Sequence, residues 1–145
     1  MKIETTRFGT ITTEEEKIIT MPFGMLGFPD LKRFVILHHK EDSPFFWYQS
    51  VDDPMLAFVI MSPFLFKPDY SVNLENIVKE MSWNEEEKQH NLELYVVVNI
   101  PEGSPDKMTA NLIGPILINN KIHQAVQMVI SDSHYTHKFP LVRDN

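Results

Sequence analysis

The chain has 145 residues, a formal net charge of −7 and a pI near 5.3. This length is typical of one domain, and 43% hydrophobic residues are enough for a closed core. The acidic balance disfavours direct binding to nucleic acid, because phosphate groups would be repelled. It is compatible with a basic protein partner, whose approach the charge would accelerate, and equally with a charge that only supports solubility.

The sequence contains no cysteine, which excludes disulfides, thiolate metal sites and a cysteine nucleophile. Residues 1–17 alternate polar and apolar side chains and lack the apolar core of a signal peptide. No apolar run approaches the roughly 20 residues that a membrane-spanning helix needs. We therefore expect a cytoplasmic protein that has no membrane contact.

Most apolar runs are short, rich in β-branched or aromatic residues, and bounded by turn residues, which predicts strands. Residues 22–30 carry several turn residues among apolar ones and are interpreted as a packed loop. The unbroken apolar run at 94–98 predicts a strand that is buried on both faces. The predicted strands are 2–8, 10–13, 17–21, 33–37, 45–50, 56–62, 92–99, 108–113, 115–119 and 124–131.

One short helix is predicted at about residues 74–82, where four apolar residues recur on one helical face. Asn73 is a suitable N-cap for it. Many short strands and one helix predict a mostly β, single-domain fold, either an antiparallel barrel or a sandwich. We expect this domain to span residues 1–139 and to be followed by a mobile tail at 140–145.

The residue patterns give no positive signal for catalysis, for a cofactor or for a metal site. His134 and His137 lie three residues apart, and His38 and His39 are adjacent, so in strands the members of each pair point to opposite faces. We interpret these histidines as surface or loop residues. The sequence has no nucleophile elbow and no glycine-rich phosphate loop. We therefore expect a protein that is not an enzyme.

Residues 62–70 (SPFLFKPDY) combine aromatic residues with two prolines directly after a predicted strand. Prolines stiffen a loop, and rigid aromatic side chains serve as anchors at protein interfaces. Phe64, Phe66, Asp69 and Tyr70 are therefore candidate partner-binding residues. The alternative is that Phe64 and Phe66 plug the mouth of the barrel.

Two further stretches are open to structural interpretations. In residues 108–119 (MTANLIGPILIN), a Gly-Pro pair interrupts a strand, as a bulge would. Met108 and Asn111 are candidate partner-binding residues there, although the amide of Asn111 would also tie such a bulge to neighbouring backbone. The aromatic residues of 45–54 (FFWYQSVDDP) are interpreted as core.

These stretches, together with IITMPFGMLGF at residues 18–28, carry a family resemblance. The chain resembles the FliW flagellar assembly factors over nearly its whole length, and the strings PFLFKPDY and MTANLIGPILIN are the most specific. Residues 82–91 are less typical of that family.

The resemblance implies a cytoplasmic β-barrel-like protein that acts in flagellar assembly without catalysis. It implies two partners, flagellin and CsrA, a dimeric RNA-binding repressor of flagellin translation. Binding to CsrA would relieve that repression, and flagellin would compete with CsrA for the protein. A monomer is favoured when the protein is free.

Two alternative functions stay open at this stage. A small-ligand β-barrel, or an enzyme with an interior polar cavity, would need convergent polar groups, for which Asn111, Asn119, Gln127 and Asp132 are the candidates. A plain structural subunit would instead need a large apolar face. For the binding hypothesis we predict that Tyr70→Ala weakens partner binding and leaves the melting temperature within a few degrees.

Overall fold

The computed structural model describes residues 1–38, 40–84, 91–131 and 134–142. Within these ranges the fold is mostly β, with one α-helix, α1 (Glu75–Glu80), and with 3₁₀ turns at Glu15–Lys17, Pro63–Leu65 and Pro105–Lys107. No helix of the described ranges is long and apolar enough to cross a membrane. The strands are β1 (Lys2–Thr5), β2 (Gly9–Thr12), β3 (Ile19–Thr20), β4 (Arg33–His38), β5 (Phe46–Ser50), β6 (Ala57–Met61), β7 (Leu92–Asn99), β8 (Thr109–Ala110), β9 (Ile116–Asn119), β10 (Gln124–Gln127) and β11 (Phe139–Pro140).

Seven of these strands form a closed barrel in the order β7-β6-β5-β4-β3-β10-β9, with β9 pairing back onto β7. Strands β3 to β7 follow one another as an antiparallel meander, and the β9–β10 hairpin fills the remaining gap. The predicted mostly β, barrel-like fold with a single short helix is confirmed. One pairing departs from an antiparallel barrel, because β3 and β10 run parallel at Thr20 and Gln124.

The barrel interior is filled by an apolar set of side chains, which we call the interior cluster. The rings of Phe34 and Tyr48 stack inside it with centroids 4.4 Å apart. Burial of each such side chain contributes about 1.5–3 kcal/mol to stability. Within the described residues the Tyr48 hydroxyl has no hydrogen-bond partner, and burial raises the pKa of Tyr48. The buried members of the cluster are Ile19, Met21, Met25, Phe34, Tyr48, Ile60, Ile116, Ile118 and Ala125.

A second apolar set, the outer cluster, lies on the other face of β7. Along β7, Val97 packs against the interior cluster while Val96 and Val98 are buried in the outer one. The prediction of a strand buried on both faces is therefore confirmed. The buried members of the outer cluster are Met61, Tyr70, Val96, Val98, Ala110 and Leu112, and its partly buried margin includes Phe66, Met108, Tyr135, Phe139 and Leu141.

The fold extends past the predicted start of the tail at residue 140. Pro140 lies in β11 opposite Thr109 of β8, and the backbone N–H of Leu141 donates to Met108 at 3.1 Å. Leu141 also packs against the outer cluster. A boundary after residue 139 would therefore cut through β11, and residues 143–145 lie outside the described ranges.

Helix α1 covers one side of the barrel and is shorter than predicted, because it ends at Glu80 before the positive φ of Ser82. Its Val78 packs with Trp83 against the β9–β10 hairpin. The N-cap position is Leu74 and not Asn73, but the Asn73 side chain still accepts a hydrogen bond from the N–H of Glu75 at 3.0 Å. The predicted N-cap position is therefore wrong by one residue, although the Asn73 amide still accepts a hydrogen bond from the first turn.

Candidate functional site

The aromatic loop, residues 62–70, is held in one shape by its own backbone. Strand β6 ends at Met61, and Pro63 begins a 3₁₀ turn that runs to Leu65. The Pro63 carbonyl then accepts hydrogen bonds from the N–H groups of Phe66 and Lys67, at 3.3 and 2.9 Å. A loop fixed in this way loses little conformational entropy when a partner binds.

Tyr70 anchors the end of the aromatic loop in the outer cluster. Its side chain is only 4% exposed, and its hydroxyl donates to the backbone carbonyl of Leu112 at 2.7 Å. The ring of Tyr135 lies 4.8 Å away between centroids. Burial, with a smaller contribution from Tyr135, raises the pKa of Tyr70. The ring therefore offers a partner little surface, and the expected effect of Tyr70→Ala reverses: we now expect a large loss of stability.

The other predicted residues of the loop are more accessible. The Phe64 side chain is 46% exposed and meets Tyr70 edge-on at 6.2 Å between ring centroids. Phe66 is half-buried against Phe139, with ring centroids 5.6 Å apart. The exposed Asp69 carboxylate pairs with Lys67 Nζ at 3.2 Å. Of these residues, Phe64 and Asp69 face solvent. Phe64 lies at the surface, just after the C-terminal end of β6.

Asn111 ties the Gly-Pro bulge to neighbouring backbone, which was the structural alternative to a role in partner binding. Its side-chain oxygen accepts hydrogen bonds from the N–H groups of Ile113 and Gly114, both at 3.1 Å. A Cβ atom at residue 114 would lie 2.9 Å from Asn111 Nδ2, so glycine suits this corner between β8 and β9. Asn111 is partly buried, and Met108 is half-buried at the margin of the outer cluster.

Leu65 is an exposed residue that the sequence did not single out. Its side chain is 63% exposed, more than that of its neighbour Phe64. Together the two side chains form an apolar pair at the tip of the 3₁₀ turn. The signal for this pair was the Pro63 turn, which directs consecutive side chains outward where a continuing strand would bury every second one.

Beside the aromatic loop lies a slot of about 300 Å³ in the barrel wall. Strand β6 pairs with β7 only at Val96–Val98, because the chain turns away at Ser62 and proline cannot donate to a sheet. Among the described residues, 92–95 of β7 are therefore paired only on the side of β9. The slot is lined by Phe46, Ser62, Phe64, Leu92, Glu93, Leu94 and Tyr95.

The rings of Phe46 and Tyr95 and the carboxylate of Glu93 lie close together in the slot. The rings of Phe46 and Tyr95 meet edge-on with centroids 6.0 Å apart. The Tyr95 hydroxyl donates to Glu93 Oε2 at 2.7 Å, and burial together with this carboxylate raises the pKa of Tyr95. These residues were not predicted, because the open edge results from the unequal lengths of β6 and β7. The position of Pro63 was the one available signal.

A wider groove of about 550 Å³ lies between α1 and the segment 126–131. Phe23, at one end, is 66% exposed, and Leu26 in the same loop is 51% exposed. The loop is packed as predicted, since a Cβ atom on Gly24 would lie 2.5 Å from the Pro29 carbonyl oxygen. The N–H of Leu26 donates to Gln127 Oε1 at 2.8 Å. This groove is the second exposed apolar surface.

Metal ligands do not converge in the described ranges, where no group of three or more His, Cys, Asp or Glu side chains lies together. His134 and His137 are exposed, and the ring of His38 lies 5.0 Å from that of Phe46. His39 lies outside the described residues, as does Asp132, one of the candidates for an interior polar group. Of the other candidates, Asn119 is buried and caps the next turn, where it accepts the N–H of Lys121 at 3.0 Å.

Comparison with known proteins identifies the family. A family model described as the FliW protein matches residues 2–141. This chain belongs to the FliW family. Flagellar assembly factor FliW of Magnetococcus marinus is 38% identical over 145 residues, which covers 100% of this chain and 87% of that protein. The corresponding protein of Geobacter sulfurreducens is 43% identical over 141 residues, covering 97% and 86%.

A solved structure gives the same result for the fold. The crystal structure of a flagellar assembly factor FliW superposes with a TM-score of 0.87 at 32% identity, covering 99% of this chain and 98% of that one. The resemblance stated from the strings PFLFKPDY and MTANLIGPILIN is thereby confirmed. As a member of the FliW family, the chain is a flagellar assembly factor.

Proposed function

We propose that this protein acts in the cytoplasm by binding two proteins in competition, flagellin and a CsrA-type RNA-binding repressor, without catalysis. When it holds the repressor, flagellin is translated. When unsecreted flagellin accumulates, it takes the place of the repressor and translation stops. The protein itself contacts neither RNA nor membrane in this scheme, and it is a monomer when free.

The observation that carries the proposal is the apolar pair Phe64 and Leu65 on a hydrogen-bonded turn of an acidic protein. Exposed aromatic and aliphatic side chains on a rigid loop are typical anchors of a protein interface. The formal charge of −7 suits a partner that is basic because it binds RNA. Family membership over residues 2–141 supports the link to flagellar assembly.

The filled barrel supports binding on the outside. The stacked rings of Phe34 and Tyr48 and the side chain of Ile60 are buried in the barrel interior. A small-ligand barrel instead needs an apolar cavity with convergent polar groups. The buried amide of Gln49 donates to the carbonyls of Ser50 and Leu56, so it serves the β5–β6 turn.

The test is isothermal titration of the protein with its cognate CsrA, alone and after saturation with flagellin. We expect saturable heat that flagellin abolishes. Binding to flagellin without binding to CsrA would leave a chaperone role and remove the regulatory one. Absence of binding to both partners would overturn the proposal.

A matched pair of double variants locates the surface. Phe64→Ala with Leu65→Ala removes the apolar pair of the aromatic loop, and Phe23→Ala with Leu26→Ala removes a similarly exposed pair beside the groove. We expect the first variant to lose about tenfold or more in affinity for at least one partner, as truncation of interface anchors does, and the second to bind like the parent. The reverse result would move the interface to the groove.

A further inference from the structure

The slot beside β7 has a chemistry that the proposed function does not yet use. We propose that it binds an extended segment of a basic partner protein, which adds as a strand to residues 92–95 and places an arginine or lysine side chain against Glu93, Phe46 and Tyr95. This inference rests on the proposed function in that the ligand is part of a protein. It adds where that protein binds and which side chain is selected.

The backbone beside the slot favours an extended peptide as the ligand. Residues 96–98 of β7 pair with β6 on one side, whereas residues 92–95 pair, within the described ranges, only with β9 on the opposite side. Past Met61 the chain leaves the sheet and enters a 3₁₀ turn, so no strand of the described ranges pairs with this side of residues 92–95. Extended peptides bind such unpaired edges by main-chain hydrogen bonds. Four residues of edge correspond to about 13 Å of strand. An α-helix, about 10–12 Å wide with its side chains, does not offer peptide groups for this pairing.

The side chains of the slot favour a positively charged side chain of the ligand. Within the described residues the ion pairs join Arg33 to Asp52 and Lys67 to Asp69, so Glu93 has no basic partner. Its Oε2 accepts the Tyr95 hydroxyl, which holds the carboxylate beside the rings of Tyr95 and Phe46. Aromatic faces attract cations, and a carboxylate next to them adds charge and hydrogen-bond acceptors.

The lining of the slot excludes the opposite charge. The described residues that line it include Glu93 and no lysine or arginine. A basic side chain that enters therefore meets one negative charge and, among these residues, no positive one, whereas an acidic side chain would be repelled by Glu93 and by the net charge of −7. Phe64, which also belongs to the aromatic loop, forms one wall. The slot and the apolar pair are thus continuous parts of one surface.

The experiment is an NMR titration of the full chain with the peptide acetyl-Thr-Val-Arg-Val-Thr-amide, followed through backbone amide shifts. Two comparison peptides separate the two parts of the proposal: one carries citrulline, a neutral isostere of arginine, and the other carries N-methyl groups on alternate peptide bonds. We expect shifts at residues 92–95 with the arginine peptide. Citrulline should weaken binding by roughly fivefold, which corresponds to a cation–aromatic contact at an exposed site. N-methylation should abolish binding, because it removes the donors of the added strand.

Two variants of the protein complete the test. Glu93→Gln should reduce the affinity for the arginine peptide to that for the citrulline peptide. Glu102 is an exposed carboxylate on a turn after β7, and Glu102→Gln should leave the affinity unchanged. Equal affinity for arginine and citrulline peptides, undiminished binding of the N-methylated peptide, or shifts outside the slot would each overturn the proposal. If the arginine peptide does not bind while CsrA and flagellin still do, the slot proposal is wrong and the proposed function stands. If neither partner binds in the calorimeter, the proposed function fails.

Discussion

The interior cluster and the outer cluster each contain a buried tyrosine, and the two residues are held in different ways. Tyr48 stacks on Phe34 and has no hydrogen-bond partner for its hydroxyl in the described ranges. Tyr70 donates its hydroxyl to Leu112 across two segments of the chain. The barrel is thus stabilised by apolar packing, whereas the outer cluster fixes the aromatic loop in place by a specific polar contact.

The largest effect is expected from Tyr70→Ala. Removal of a buried aromatic side chain typically costs about 3–5 kcal/mol, and here the Leu112 carbonyl also loses its donor. Chemical unfolding should show this loss, and Phe64→Ala, with its half-exposed ring, should cost under about 1 kcal/mol. A Tyr70→Ala variant as stable as Phe64→Ala would mean that the outer cluster does not hold the loop.

A smaller and more direct test compares the two hydroxyls. Tyr70→Phe removes a hydrogen bond and leaves a buried carbonyl without its donor, so we expect a loss of about 1–2 kcal/mol. Tyr48→Phe removes a buried hydroxyl without a partner in the described ranges, so its free energy of unfolding should be unchanged or slightly raised. The two variants delete the same atom and serve as controls for each other in one urea titration. Equal losses would erase the distinction between the clusters.

The smallest effect concerns the polar contact of the barrel wall. Asp52 accepts hydrogen bonds from Arg33 Nη2 at 2.8 Å and from the N–H of Lys32 at 3.1 Å. Burial acts to raise the pKa of Asp52, but these hydrogen bonds and the charge of Arg33 outweigh it and hold the pKa below its usual range. We expect Asp52→Asn to cost about 1 kcal/mol or less, because the pair is partly exposed to solvent.

The sign of the pH dependence follows from the lowered pKa of Asp52. A carboxyl with a depressed folded-state pKa contributes stability above its unfolded pKa of about 3.9, and this contribution is lost as pH falls through the folded value. The difference between parent and Asp52→Asn should therefore be present at pH 7 and shrink below about pH 4. Urea unfolding at several pH values measures it. If the difference in the free energy of unfolding stayed constant down to pH 2, the effect of the substitution would come from packing and not from the charge of Asp52.

Much of the fold could be predicted because the information is local. The apolar patterns located the strands up to β10 but not β11, and the run at 94–98 marked β7 as buried on both faces. The pairings that close the barrel could not be predicted, since β9 returns to β7 and β3 meets β10 between residues that are distant in the sequence. Nothing in the short β3 segment indicates a parallel neighbour.

The candidate site was predicted only in part, for a related reason. A distinctive string such as PFLFKPDY does not say which of its side chains face outward. Phe64 and Asp69 are exposed, whereas Tyr70 and Asn111 secure the loop and the corner that present them. Glu93 was missed because its surroundings depend on where β6 stops relative to β7.

The closure of the barrel has a consequence for the order in which the chain can fold during synthesis. Strands β3 to β7 pair with their neighbours in sequence and can assemble as the chain emerges, but the result is an open sheet with β3 and β7 at its edges. In the part of the chain that the structure describes, the β9–β10 hairpin joins those two edges. Distant pairings of this kind form late, and unpaired edges invite aggregation. A chain stalled before residue 116 therefore lacks the β9–β10 hairpin and cannot close the barrel.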